Sequence, residues 1–475
     1  MSNVANLAEH QDNLAQLNND FEVMTSNFKQ TPYPSLQARK DVLLALKKSL
    51  IAHEQEIYDA LKQDYGYRSE FDSLISDLLS TVMAVNYSLK NVKKWMKPSK
   101  RHAGLMLAPS TVKVHYQPLG VVGIITPWNF PIFLALSPAI QAIAAGNRVM
   151  IKMSEFTPHA NQALRKVVSV VSDHISIIEG EADVGAAFSA LPFDHLIFTG
   201  STNVGRMVAK AAAENLTPIT LEMGGKSPTI IDETANMNIA VDAVIVGKST
   251  NSGQICVAPD YVFVPQSREL EFVETFVKRY REYHFETKNN NTQTHIVSDR
   301  QFARIERFLE DAKAEGANIH AVKERQEGDG RLIYPHLLTN VHDGMQVMKE
   351  EIFGSILPIK TYQNISEVIS FINDRPRPLA LYIMSKDAQK IDHILKNTHS
   401  GGVSINDTAM HVMADDAPFG GVGNSGIGHY HGHEGFLTFS KAKTVLHSKA
   451  WLPKNRFILK YRDVMFKALR GLFLR

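Results

Sequence analysis

Cys256 is the only cysteine among the 475 residues, and it stands in the stretch Asn251-Ser252-Gly253-Gln254-Ile255-Cys256-Val257-Ala258-Pro259-Asp260. A glycine turn precedes it and an apolar strand-like run, Tyr261-Val262-Phe263-Val264, follows. Loops at strand ends present side chains that a core would bury, so the thiol is placed to act as a nucleophile. A free cysteine also packs as a small hydrophobe, and this alternative stands until other residues supply the rest of a reaction.

A thiol that attacks a carbonyl needs a base and needs donors for the developing oxyanion. Glu222 offers a base: it follows the β-rich run 219–221 and precedes Met223-Gly224-Gly225-Lys226-Ser227-Pro228, whose glycines give a carboxylate room to reach a water. A salt bridge from Glu222 to Lys226 is the plainer reading. Asn129 lies in Thr126-Pro127-Trp128-Asn129-Phe130-Pro131, where two prolines fix a turn around an amide that can donate to an oxyanion. An ordinary turn asparagine is the alternative there.

Two further strand ends suit a nucleotide. Glu155, in Lys152-Met153-Ser154-Glu155-Phe156-Thr157-Pro158, can accept hydrogen bonds from ribose hydroxyls, while Ser154 or Thr157 can instead cap the next helix. Thr199-Gly200-Ser201-Thr202-Asn203-Val204-Gly205 joins a strand to a helix with small residues that let a phosphate approach the helix N-terminus. The G-x-G-x-x-G spacing is absent, which weakens that motif taken alone.

The elements that must position these residues alternate. β-rich runs at 120–125, 148–152, 175–178, 195–198, 219–221 and 229–231 are separated by helix-like segments such as 132–145 and 202–215. Such alternation implies a parallel sheet covered by helices, with ligands at the carboxyl ends of the strands. A second α/β pattern starts near Ser227, with a helix over 241–251, a charged helix over 300–315 and strands near Leu357 and Leu379. Two α/β halves facing across a cleft are therefore expected. Upstream, residues 35–96 carry helix-spaced apolar positions including Val42, Leu43, Leu46, Leu50 and Ile57. Pro98 and Pro109 break this pattern, and 111–116 alternates like a half-buried strand. The tract Lys288-Asn289-Asn290-Asn291-Thr292-Gln293 reads as a surface loop, and no internal repeat is evident.

Composition narrows the class. Lys and Arg number 51 against 49 Asp and Glu, and 44% of residues are apolar, the balance of a globular protein with no call on nucleic acid. One cysteine makes no intramolecular disulfide, which fits a reducing compartment. The first 20 residues lack the basic-then-apolar pattern of a signal peptide, and no run approaches the ~18 apolar residues of a membrane span, so a cytoplasmic protein is expected.

Together the motifs resemble the aldehyde dehydrogenase superfamily along nearly the whole chain, residues 35–445. The resemblance lies in Pro127-Trp128-Asn129-Phe130-Pro131, Phe198-Thr199-Gly200-Ser201-Thr202, Leu221-Glu222-Met223-Gly224-Gly225-Lys226-Ser227-Pro228, Gly253-Gln254-Ile255-Cys256 and Glu350-Glu351-Ile352-Phe353-Gly354. Five motifs in the family's order make coincidence improbable. Cys256-Val257-Ala258-Pro259-Asp260-Tyr261, Gly426-Ile427-Gly428-His429-Tyr430-His431-Gly432 and Gly435-Phe436-Leu437-Thr438-Phe439-Ser440 are similar to the class 3 branch and, within it, to the coniferyl aldehyde dehydrogenases. Met153 and Ser355 depart from the family by standing where proline is more frequent.

The resemblance implies a Rossmann-like parallel-sheet NAD(P)-binding domain (residues 1–98 and 118–223) and a second α/β catalytic domain (224–430). It also implies a small β bridging or oligomerisation element (99–117 and 431–449), leaving 450–475 as a tail. It makes Cys256 the nucleophile, Glu222 the general base and Asn129 an oxyanion donor together with the Cys256 backbone N–H. Trp128, Lys152, Glu155, Gly200, Ser201, Gly205, Glu351 and Phe353 are implied as cofactor residues. Glu351 would hold the nicotinamide ribose and Phe353 would pack by the ring. Like charge at Glu155 favours NAD over NADP, and Lys152 offsets part of that, so NADP stays open. The implied reaction converts an aldehyde, aromatic such as coniferyl aldehyde or of medium to long chain, to its acid in a homodimer bridged near 112–116 and 438–446. Rival readings are a cysteine-dependent hydrolase or esterase, a coenzyme A-acylating enzyme on the same fold, and a non-catalytic binding protein.

Two features stand outside that scheme. His429, His431 and His433 alternate as metal ligands on a strand do, but no completing ligand is evident and the chemistry needs no metal; a loop near the substrate entrance is the expected alternative. Residues 450–475 carry seven basic side chains against the single acid Asp463, a net +6. At helical spacing Ile458, Tyr461, Met465, Leu469 and Leu472 gather on one face, opposite Lys460, Asp463, Lys467 and Arg470. Such a helix suits peripheral contact with the anionic inner face of a membrane, or packing on the partner subunit or over the substrate entrance.

Overall fold

A computed structural model describes residues 2–286 and 293–474, with no side-chain account of 2–13 or Leu105. The polar tract expected as a loop at 288–293 lies outside the described residues except for Gln293, which is buried.

Runs of Val, Ile and Leu bounded by Gly and Pro form two parallel sheets. The first has six strands in the order Gly426–Ile427, Ile219–Met223, His195–Gly200, Val121–Ile125, Arg148–Lys152, Ile175–Ile178, all parallel except the two-residue edge strand. The whole of Arg148–Lys152 is buried, as a central parallel strand covered on both faces requires. Helix Pro131–Ala145 starts with proline at its first position, where the ring presets φ and no hydrogen bond is lost. Nearly all its residues are buried against the sheet and against helix Ser80–Trp95.

The second sheet runs Asn318–Ala321, His336–Thr339, Ile356–Tyr362, Tyr261–Pro265, Pro228–Ile231, Ala380–Met384, Gly402–Ile405, with only the first pair antiparallel. The chain passes from the last long strand of the first sheet to Pro228–Ile231 through Gly224 to Ser227. The two sheets therefore meet just beyond Glu222, at the end of its strand. A third, antiparallel sheet pairs Ser99–Arg101, Thr111–Pro118 and Ser440–His447, and the last of these is an exposed edge.

The helical layer expected over 35–96 is present as Leu36–Ala52, Glu54–Tyr65, Glu70–Ser73, the π-helical turn Leu74–Leu79 and Ser80–Trp95. The long helix Ser2–Gln30 was not expected. Its Leu17 and Met24 are buried with Val121, Met150 and Leu196 over the first sheet. The helix expected over 241–251 is Met237–Ser249.

The tail differs from the single helix expected. Lys454–Lys460 and Arg462–Phe473 are separate helices broken at Tyr461. Met465 and Leu469 are half-buried, whereas Leu459 (80% exposed), Phe466 (63%) and Leu474 (79%) remain uncovered. No helix among the described residues is long and apolar enough to cross a membrane.

Candidate active site

After helix Met237–Ser249 the chain turns through Asn251 (φ 48°), Ser252 (φ 54°) and Gly253 (φ 72°), three successive left-handed residues. Two of them carry side chains, a costly arrangement that survives only where neighbours enforce it. The Asn251 N–H donates to Asp72 Oδ2 (3.1 Å), and its Nδ2 donates to the carbonyls of Asn129 (3.1 Å) and Gln254 (3.2 Å). The Ser252 hydroxyl donates to the Thr294 carbonyl, and Ser355 Oγ donates to the Ser252 carbonyl (3.0 Å). Ser355 thus supplies a hydrogen bond that proline at that position has no group to make. Gln254 Nε2 donates to the Asn251 and His295 carbonyls (2.9 and 3.0 Å). A Cβ on Gly253 would lie 2.6 Å from the Gly354 carbonyl oxygen, so the turn accepts only glycine. Cys256 emerges partly accessible, with its own N–H and that of Val257 directed at the sulfur.

The Asn129 turn is held from the helical layer. Arg68 and Asp77 form an ion pair of 2.6 Å in which both side chains are fully buried. Arg68 Nη1 also donates to the Asn129 carbonyl (2.9 Å), while Asp77 Oδ1 accepts the N–H groups of Ile132 and Phe133 (3.0 and 3.1 Å). Tyr65 OH lies within bonding distance of the Trp128 and Asn129 carbonyls (2.9 and 3.1 Å). One Asn129 Nδ2 hydrogen goes to the Gln254 carbonyl (3.1 Å), which ties the amide to the cysteine loop. Neither Arg68 nor Asp77 carries a sequence signal, because only the fold brings them to this turn.

Glu222 is paired in register with Thr199 on one side and Gly426 on the other, so its backbone is fixed between two strands. Its carboxyl is buried, both oxygens are without a hydrogen-bond partner among the described residues, and desolvation raises its pKa well above the usual carboxylate value. The alternative salt bridge is overturned: Lys226 pairs with Asp260 and donates to the Val347 and Glu350 carbonyls (2.7 and 2.9 Å). Burial, with Glu351 and Glu222 nearby, pushes the Cys256 thiol up to about 12.

Two cavities meet at these groups. One, of about 340 Å³, is walled largely by apolar side chains, among them Phe71, Met83, Phe130, Phe133, Met410 and Phe419. The other, of about 500 Å³, is a more polar groove lined by Trp128, Gly200, Ser201, Glu351, Phe353 and Arg304. Cys256, Glu222, Thr199 and Leu134 line both. In the groove Trp128 meets Phe353 edge to face (centroids 5.3 Å apart). The Glu351 carboxylate lies against Gly224, where a Cβ would be 2.1 Å from Oε1, and burial lifts its pKa to about 8. Arg304, unmarked by any sequence motif, donates to the Glu351 and Ile352 carbonyls (3.1 and 2.6 Å).

Other expected residues fall differently. Gly205 is buried in the first turn of helix Thr202–Glu214, where a Cβ would meet Met223 Sδ at 2.5 Å, so it serves helix–strand packing and does not line the groove. Ser201 lines the groove and also caps that helix, accepting from the Val204 N–H (3.5 Å). Lys152 is buried and donates to the Met153 and Gly180 carbonyls (2.8 and 2.6 Å); Glu155 is exposed, and both stand at the carboxyl end of their strand outside the groove lining. The Met153 N–H donates to the Ile178 carbonyl (2.9 Å), a bond proline lacks. Neither Ser154 nor Thr157 caps helix Pro158–Val168; Asp64 does, accepting from His159 and Ala160 N–H (3.0 and 2.8 Å). The three histidines share no face: His429 is exposed, His431 is buried against Phe419, and His433 stacks on Trp95.

A thiol, a partnerless buried carboxyl and an anchored amide at the junction of an apolar cavity and a polar groove can carry an acyl-thiol reaction. Comparison with known proteins agrees. Residues 7–445 match the aldehyde dehydrogenase family. The coniferyl aldehyde dehydrogenase of Pseudomonas sp. strain HR199 is 44% identical over 403 residues, covering 84% of this chain and 83% of that protein. A solved structure described as the substrate-bound state of Staphylococcus aureus AldH superposes with a TM-score of 0.88 at 36% identity, covering 94% of this chain and 99% of that one. The Mycobacterium tuberculosis aldehyde dehydrogenase complexed with NAD+ gives 0.83 at 29% identity, covering 92% and 91%. The expected family and α/β fold hold: this chain is a member of the aldehyde dehydrogenase family, an oxidoreductase using a nicotinamide cofactor.

Proposed function

We propose that this enzyme oxidises apolar aromatic aldehydes of the coniferyl aldehyde kind to free acids. The observation that carries the reading is that the Cys256 thiol and the Glu222 carboxyl both line the apolar cavity and the polar groove. An aldehyde in the first cavity meets the thiol from one side, and a cofactor in the groove meets it from the other. The Cys256 thiolate adds to the carbonyl carbon. The Asn129 amide and the Cys256 N–H stabilise the thiohemiacetal oxyanion, a preorganised donor being worth roughly 3–4 kcal/mol. When bound, the nicotinamide supplies the hydride acceptor that converts this adduct to a thioester. Glu222 then takes a proton from the water that releases the acid. A carboxylate with no ion-pair partner and a raised pKa suits that base role, and coenzyme A transfer has no use for it.

The groove fits the cofactor through Gly200 and Ser201 at a helix N-terminus, Glu351 for a ribose and Trp128 and Phe353 for the ring. Glu155 favours NAD, with Lys152 leaving NADP open. Residues 1–98 and 118–223 would form the cofactor domain, 224–430 the catalytic domain, and 99–117 with 431–449 the bridging element. The exposed edge strand Ser440–His447 supports a homodimer, since a long bare edge invites pairing; light scattering that gives a monomer mass would refute it. The protein is read as cytoplasmic, with the basic, apolar tail touching the inner face of a membrane. Deleting residues 455–475 should reduce sedimentation with anionic vesicles, and equal sedimentation would remove the tail from that role.

The test of the reaction is formation of reduced cofactor across cinnamaldehydes, benzaldehydes and alkanals with NAD and with NADP. Aromatic preference with acid product is expected. No reduced cofactor from any aldehyde would overturn the reading, and a coenzyme A ester product would redirect it.

A further inference from the structure

Three acids line the apolar cavity, Asp72, Glu222 and Asp415, and one of them has neither a role in the reaction nor a hydrogen-bond partner among the described residues. Asp415 lies on its wall, in the loop that follows the turn Met410–Met413. The other acids there are accounted for: Asp72 accepts from Asn251 N–H and Thr294 Oγ1 (3.1 and 2.6 Å), and Glu222 is the base. Among the hydroxyls, Ser80 Oγ donates to the Ile75 carbonyl (2.5 Å) and Thr250 Oγ1 to the Val246 carbonyl (2.9 Å). The Asp415 carboxylate is half-buried and, among the described residues, accepts no hydrogen bond from the protein. Desolvation raises its pKa, the signature of a charged group held in apolar surroundings without compensation.

Its backbone does not allow it to turn away easily. The next residue, Asp416, accepts the hydroxyl of Tyr87 from helix Ser80–Trp95. On the other side the Asp415 carbonyl oxygen packs on Gly432, where a Cβ would come within 2.1 Å of it. The loop is thus pinned at two points. Met410, 45% exposed and on the same loop, stands where the cavity opens to solvent with Phe71 (67%) and Val246 (49%). Cys256 lies at the inner junction with the groove, so a substrate with its carbonyl at the thiol directs its far end toward this loop.

A carboxylate is an acceptor only, so the group that answers it must be a donor. Phe71, Phe130, Phe133 and Phe419 give the space between thiol and loop flat apolar walls suited to a ring. A cavity of about 340 Å³ is near the lower end of the ~300–1,000 Å³ usual for small-molecule sites, room for one ring and a short chain. We propose that Asp415 is the specificity-determining residue of this cavity, accepting a hydrogen bond from a phenolic hydroxyl at the far end of an aromatic aldehyde whose carbonyl carbon is at Cys256. The proposal rests on the aldehyde-oxidising reading above and names the substrate class within it. Like charge also turns away aldehydes that end in a carboxylate or phosphate.

The test compares kcat/KM of the full-length enzyme for 4-hydroxycinnamaldehyde, 4-methoxycinnamaldehyde and cinnamaldehyde, in the native protein and in Asp415→Asn and Asp415→Ala. A hydrogen bond to a partly desolvated charge is expected to give the native enzyme about a tenfold preference for the 4-hydroxyl substrate over both others. In Asp415→Ala the preference should collapse to about one, and in Asp415→Asn to a few-fold. Each ratio is read within one protein, so a general loss of activity or folding cancels. Native enzyme that treats the three substrates alike, or an unchanged ratio in Asp415→Ala, would overturn the proposal, as would a preference for ω-aminoalkanals that depends on Asp415. Failure to oxidise any aldehyde would instead strike the underlying reaction.

Discussion

Replacing Arg68 by methionine would remove a cation that lines neither cavity yet holds Asn129, the proposed oxyanion donor. Arg68 gives up three things in that variant: its 2.6 Å ion pair with Asp77, its 2.9 Å bond to the Asn129 carbonyl, and its stacking over the Tyr65 and Phe130 rings at 4.7 and 5.4 Å. Asp77 is left fully buried with only the Ile132 and Phe133 N–H groups to offset its charge. Removing one partner of a buried pair costs about 3–5 kcal/mol. The catalytic effect is separate, because a misplacement of about 1 Å at a reacting group can cost roughly 10²-fold in rate. The expected outcome is therefore a lower urea midpoint together with a kcat about 100-fold down, at little change in KM for the cofactor. The double variant Arg68→Met/Asp77→Asn separates the two effects: it should regain much of the stability by removing the stranded charge, but not kcat, since the bond to Asn129 is still missing. A kcat within about threefold of native in the folded single variant, or full recovery in the double, would refute the bracing role.

Two further outcomes follow from the same geometry. Burial pushes the thiol of Cys256 up to about 12 and raises the carboxyl of Glu222, so the reactive thiolate and carboxylate both gain with rising pH, and kcat should climb as pH rises from neutral into the alkaline range. Glu222→Gln should flatten the part of that rise belonging to thioester hydrolysis, and an identical profile in the variant would remove Glu222 from the limiting step. Gly224→Ala places a methyl where the Glu351 carboxylate now lies, 2.1 Å from Oε1. It should raise KM for the nicotinamide cofactor by about tenfold while aldehyde saturation changes less, and equal effects on both would mean that Glu351 does not hold the cofactor.

Much of this architecture was legible in the chain. Runs such as 148–152 and 175–178 coincide with their strands because their apolar residues, Val149-Met150-Ile151 and Ile175, Ile177 and Ile178, are the kind a buried parallel strand requires. The helix expected over 132–145 begins one residue earlier, at Pro131, whose ring presets a helical φ at the first position. What was not legible depended on distant partners. Ser2–Gln30 reads as polar, and only Leu17 and Met24 meeting the first sheet explain where it lies. Asp64 rather than the adjacent Ser154 or Thr157 caps Pro158–Val168, since a carboxylate from another helix reaches the exposed N–H groups. The residues that hold Asn129 and the Cys256 turn, namely Arg68, Asp72 and Asp77, lie in the helical layer with no motif to announce them. Cys256 and Glu222, the proposed nucleophile and base, stood out in the sequence because each lies beside glycine near a strand end; the tail was misread as one helix because spacing does not reveal the break at Tyr461.

The division of labour between Cys256 and Glu222 is tested most directly by rapid mixing of enzyme, cofactor and excess aldehyde while reduced cofactor is followed. Cys256→Ala should bind cofactor and form none of its reduced form. Glu222→Gln should release a burst of about one equivalent per active site and then stall with the acyl group on Cys256, visible by intact-protein mass. A Glu222→Gln enzyme that turns over at the native steady-state rate, or a Cys256→Ala enzyme that still reduces cofactor, would contradict the account.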